Sequence, residues 1–188
     1  MRRPVRTVAV LVTLAALAAV ARGVAASSRD HVRSSASALC GVERWAVKTL
    51  QDRPRLLRAR RTTLAHLVSL PRPAHLPQTR LPFERHVFSV TAAVTLDRRE
   101  VDQDLHLVLF QVGKDAHMIA EAPNAPTCTP RATAYRKRQM RAARHAARIC
   151  GRARITGVAF FDFLHGQTGV APNGIELHPI LGFACLSG

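Results

Sequence analysis

The clearest pattern in the chain lies in its second half, where apolar positions alternate with polar ones. The stretch RHVFSVTAAVTL (residues 85–96) is rich in β-branched and aromatic residues and predicts a strand. DLHLVLFQV (104–112) sets Leu105, Leu107 and Leu109 against His106, Val108 and Phe110 and predicts a second strand, joined to the first through DRREVDQ. After a GKD turn, AHMIAEA (116–122) predicts a third strand, which Pro123 and Pro126 end. The period then changes to that of a helix over residues 130–149. Thr129 suits the N-cap, Pro130 the first helical position, and Gly151 the far end. Ala132, Tyr135, Met140, Ala143, Ala146, Ala147 and Cys150 share the apolar side; Lys137, Arg141, Arg144 and Arg148 line the opposite one. ARITGVAFFDFL (153–164) and GIELHPILGFAC (174–185) supply two more strands. A β-β-β-α-β-β order predicts a mainly β fold with one long helix, arranged as a five-stranded OB-type barrel. An open α+β sheet is the alternative.

Before residue 80 the patterning is weaker. Residues 1–26 read as a signal peptide: a basic MRRPVR start, an apolar TVAVLVTLAALAAVA run and small residues for cleavage near Ala25 or Ala26. The apolar run is short of the roughly 20 residues a spanning helix needs, which makes a retained membrane anchor the alternative. Residues 27–39 read as a flexible spacer. Residues 40–79 form an N-terminal extension expected to pack on the barrel, and residues 80–188 form the OB-like domain. Within the extension, CGVERWAVKTL alternates over a few positions and predicts a short strand or extended docking segment. Thr62 and Thr63 offer caps for a short helix over 64–70.

An exported chain changes the meaning of its cysteines. Cys40, Cys128, Cys150 and Cys185 are four, all beyond the signal segment, and predict two disulfides. No C-x-x-C pair is present, which argues against a structural zinc knuckle. A continuous helix over 130–149 would hold its ends about 30 Å apart, too far for Cys128 to bond Cys150. Cys40 then pairs with one of them and Cys185 with the other; a broken helix would restore the local pairing. The formal charge of +16 points to acidic partners, an acidic polymer or nucleic acid. Lys137, Arg141, Arg144 and Arg148 are the candidate polyanion-binding residues. The competing reading is that arginine serves here as a general solvated residue.

Several polar residues interrupt the apolar strands. Asp104 and His106 project to one side of strand two, with Asp102 just before them, and Glu121 closes strand three. Hairpin arithmetic places Asp104 and Glu121 at the same end of their strands. His165 opens the loop HGQTGVAPNG, and Glu176 and His178 share one face of the last strand. Three chemistries suit this set. Asp102, Asp104, His106 and Glu121 are candidate ligands of a divalent metal, the one cofactor the sequence suggests. His165, Glu176 and His178 are candidates for metal-free acid–base catalysis. Alternatively, the imidazoles and carboxylates bond loop amides and pin the glycine-rich connection. No Walker pattern, serine-nucleophile signature or dinucleotide fingerprint is present.

The segments DQDLHLVL, MIAEAP and VAFFDFLHGQTGVAPNGIELHP, together with CGVERWAVKTL, resemble a family of uncharacterised exported bacterial proteins with OB-like domains, over roughly residues 40–185. That resemblance implies an OB-type fold and a site built on a D-x-D-x-H strand and a terminal E-x-H-P, and it implies no activity. A weaker likeness is to staphylococcal-nuclease-type OB domains, in which a D-G-D-T strand start and an acid-Pro strand end hold calcium beside a phosphodiester. Here DQDL and EAP offer Asp102, Asp104 and Glu121. Leu105 stands where that pattern has threonine, and the third strand offers His117 but no arginine. The expectation is therefore a ligand- or polyanion-binding module, with a metal-dependent phosphoester hydrolase as the alternative.

Overall fold

The computed structural model describes residues 40–187; the expected signal peptide (1–26) and spacer (27–39) lie outside the described residues. Five strands close a mixed barrel: β2 (Val87–Arg99), β3 (Leu105–Phe110), β4 (His117–Ala122), β5 (Cys150–Phe161) and β6 (Ile175–Ser187). The order around the wall is β2-β3-β4-β6-β5, with β5 returning to β2. Within the barrel every pairing is antiparallel except β4 with β6. A two-residue strand β1 (Arg60–Arg61) adds to β2 in parallel. The closed five-stranded barrel agrees with the predicted order, and alternate residues fill it, among them Val90, Leu107, Leu109, Met118, Ile155, Phe161 and Leu177.

Among the described residues four short α-helices accompany the barrel: α1 (Trp45–Lys48), α2 (Leu64–Val68), α3 (Ala125–Cys128) and α4 (Ala134–Ala146). The expected long helix over 130–149 is corrected to the 13 residues of α4. Thr133, not Thr129, accepts the capping bond from the Arg136 amide, and Ala147 is already extended. Tyr135, expected on the apolar side, is exposed, because α4 buries Met140 and Ala143 instead. CGVERWAVKTL forms α1 rather than a strand; six alternating positions fit either period, and tertiary contacts chose the helix. The short helix at 64–70 is present as α2, with the Thr63 side chain capping the His66 amide.

The disulfides are Cys40–Cys128 and Cys150–Cys185. Each half of the predicted 128/150 non-pair therefore has its own partner. No helix among the described residues is long and apolar enough to cross a membrane.

One feature of the wall positions the site. Leu107 and Leu109 face the barrel core, yet His106 and Val108 on the other side of β3 are buried too. The outer wall formed by β3, β4, β6 and β5 is covered by the segment around α1 and by the β5–β6 loop. Gly169 lies against Val108 with φ +84, where an added Cβ would sit 2.5 Å from a Val108 methyl. The Arg44 guanidinium stacks 4.7 Å from the Phe160 ring centre. Only a close-fitting cover explains how Asp104, His106, Glu121, Asp162, Glu176 and His178 are all buried.

Candidate functional site

Strand register assembles the covered cluster. His106 stands opposite Glu121, and Glu176 stands opposite both Ile119 and Phe160. These neighbours bring the side chains of β3, β4 and β6 onto one patch of the outer wall. His106 Nδ1 contacts Glu121 Oε1 at 2.8 Å, and its Nε2 contacts the Thr168 carbonyl at 2.9 Å. Both partners are acceptors, so both ring nitrogens donate and His106 is an imidazolium. Burial pulls the His106 pKa down, but the Glu121 and Thr168 bonds win and raise it. Burial likewise favours a neutral Glu121, and the donors His106 and His178 outweigh it, holding that carboxyl well below the usual range.

His178 stands between carboxylates. Its Nε2 lies 3.1 Å from Asp104 Oδ2, and its Nδ1 lies 3.0 Å from Glu121 Oε2 and 3.7 Å from Glu176 Oε2. These are charge contacts rather than aligned hydrogen bonds: both ring nitrogens, both Asp104 oxygens and both Glu176 oxygens are buried without a hydrogen-bond partner. Burial opposes a charge on His178, but the contacts with Asp104, Glu121 and Glu176 raise its pKa well above the ordinary value. Burial raises Asp104, partly offset by His178. Glu176 is pushed up to about 7 by burial, with Glu121 and Asp162 repelling its charged form.

Lys48, on α1, reaches into the same patch and lies 2.6 Å from Asp162 Oδ2. Burial would lower its pKa; Glu176, Asp162 and Glu121 reverse that and raise it. Asp104, Glu121, Asp162 and Glu176 thus face the cations Lys48 and His106, with His178 a third when it is protonated, as its raised pKa favours. Donor atoms of Asp104, Glu121 and His178 all lie within 4.8 Å of one another.

The predicted residues divide accordingly. Asp104, His106, Glu121, Glu176 and His178 come together, on a covered wall and not on an open rim. Asp102 is adjacent, but its Oδ1 accepts the Asp104 amide at 3.1 Å and shapes the turn. His165 stands at the margin of the cluster: donor atoms of His165, Glu43 and Asp162 lie within 4.8 Å of one another. Its Nε2 meets Glu43 Oε2 at 2.9 Å, with both side chains well exposed, because the loop approaches His106 through the Thr168 main chain. Lys48 and Asp162 were missed by sequence reasoning; the one signal available was an acid ending an apolar run, in FFDF.

Of the basic candidates, Arg141 and Arg144 line a cleft of about 620 Å³ with Arg98 and Arg99. Lys137 instead donates to the Pro130 carbonyl at 2.7 Å, and Arg148 lies past the end of α4 and bonds the Ala146 carbonyl. Neither lines the cleft.

No protein-family model matches this chain, and neither the curated proteins nor the solved structures compared with it contain a match.

Proposed function

We propose that this protein is an extracytoplasmic cation-binding domain, which holds a divalent metal ion through Asp104, Glu121 and His178, with Glu176 as a further carboxylate donor. The observation that carries this reading is the set of buried oxygens on Asp104 and Glu176 that make no aligned hydrogen bond and meet the His178 imidazole only through charge contacts. Buried polar groups in folded proteins are nearly always paired, and buried charges pair or bind metals. Four carboxylates gathered around one imidazole suit a divalent ion, whose binding would release the His178 proton. The donor set of carboxylates plus one imidazole suits manganese or zinc better than a soft, thiolate-seeking metal. His106 supports the site by orienting Glu121, and whichever His178 nitrogen is left free can donate to the carboxylate that faces it.

Burial favours binding over hydrolysis. A metal hydrolase keeps a coordination position open to water and substrate, whereas here Asp104 and His178 are fully buried and Glu121 is 4% exposed. A binding or stabilising role fits this closed arrangement better than a phosphoester hydrolase does. Two disulfides support placement in an oxidising compartment.

The test is stripping the oxidised protein with EDTA, then titrating manganese, zinc, calcium and magnesium while following melting temperature and bound metal. Saturable uptake of about one ion per chain, lost in Asp104→Asn, is the expected result. No uptake of any ion would assign the cluster to proton-shared ion pairs and end the metal reading.

A further inference from the structure

We propose that the cleft between the end of β2 and the C-terminal half of α4 binds the phosphate backbone of duplex nucleic acid without reading its bases. Arg98 and Arg99 enter it from β2, Arg141, Arg144 and His145 from α4, and Leu105 forms part of its floor. Asp97 is the one acid in the lining. Two of these cations are already engaged: Arg98 bonds Glu100 Oε1 at 2.7 Å, and Arg144 donates to the Ala122 carbonyl. Arg99 and Arg141 are exposed, and neither has a hydrogen-bond or ion-pair partner among the described residues. Arg99 and Arg141 are thus guanidiniums without a paired counter-charge, and their planar forks match phosphate oxygens.

Extent selects a polymer over a single small anion. Lys137 and Arg138 continue the Arg141/Arg144 face by one turn toward the start of α4. The 13 residues of α4 span about 20 Å, which covers several phosphates at the roughly 3.4 Å spacing of one strand. Lining chemistry selects a duplex over a single strand. Proteins that hold unpaired strands stack the bases on aromatic rings, and no Phe, Tyr or Trp lines this cleft. The one exposed aromatic on α4, Tyr135, is flanked by Arg136 and Arg138 at 5.2 and 6.0 Å from its ring centre.

This inference is independent of the metal site and is tested without metal. Fluorescence anisotropy of a labelled duplex of roughly 20 base pairs is followed against the oxidised protein over a salt series; about four phosphate contacts predict a hundredfold loss of affinity, approximately, between about 50 and 200 mM salt. Arg99→Glu/Arg141→Glu should weaken binding by about tenfold or more and flatten the salt slope. Arg60→Glu/Arg154→Glu, an equal charge change at exposed sites outside the cleft, should stay within about twofold. Unchanged melting temperatures show that both variants are folded. Equal weakening by the two variants would reduce the effect to net charge and overturn the assignment. So would tighter binding of single-stranded DNA, binding of heparin but not of duplex, or no binding at about 50 mM salt.

Discussion

Two clusters of buried charge lie beneath the same cover and differ in one respect. In the first, Arg44 and Glu84 form a bidentate pair, both bonds at 2.7 Å. The remaining Arg44 donors reach the carbonyls of Phe161, Pro77 and Thr79, and Glu84 also accepts the Leu81 and Phe161 amides. Every polar atom has a partner. In the second, around His178, four carboxylate oxygens and two ring nitrogens make no aligned hydrogen bond and are held by charge contacts alone. The two are equally buried, so burial of charge does not by itself mark a functional site. Satisfaction does: the complete network fastens the N-terminal segment to the barrel, and the incomplete one is shaped for something that completes it.

The sharpest way to break this contrast is Glu84→Gln, which keeps the shape but strands the Arg44 charge. It should cost about 3–5 kcal/mol in denaturant unfolding, with metal or without it. Asp104→Asn should behave differently. It should leave the stripped protein nearly as stable as its parent while abolishing the metal-dependent gain, about 2.7 kcal/mol at a hundredfold excess over the dissociation constant. An equal loss in the stripped state would place Asp104 with the Arg44 type of cluster. Gly169→Ala attacks the cover, since the loop backbone has φ +84 and touches Val108. A loss of about 1–3 kcal/mol is expected, with faster release of metal to a chelator read by stopped flow. His165→Ala should do least. Its pair with Glu43 is exposed, so stability should move by less than about 0.5 kcal/mol and metal affinity should not change.

These predictions rest on residues that were unequally visible in the sequence. Period-two alternation placed Asp104 with His106 and Glu176 with His178, and hairpin arithmetic put Asp104 at the same end as Glu121. Those are local relations, and strands encode them directly. What alternation does not encode is that both faces of β3 are buried, because the cover comes from residues more than 50 positions away in either direction. Arg44, Lys48 and Asp162 were illegible for that reason; each is a charged residue whose burial depends on distant segments. His165 looked like a site residue because it mirrors His178 across the loop. The loop delivers a main-chain carbonyl at Thr168 instead, and main-chain atoms leave no mark in composition or motif. The short α1 was mistaken for an extended segment because too few residues were available to distinguish the periods.

The two disulfides divide the oxidised chain into consecutive rings. Cys40–Cys128 encloses α1 and β1 through β4, and with them Lys48, Asp104, His106 and Glu121; Cys150–Cys185 encloses most of β5 and β6, and with them Asp162, Glu176 and His178. The rings do not overlap along the chain and are joined by the stretch that carries α4. An ion held by Asp104 and Glu121 from one ring and His178 from the other would act as a third cross-link, the one reversible clasp in the set, and the exchange of that ion would set how tightly the two rings are fastened together.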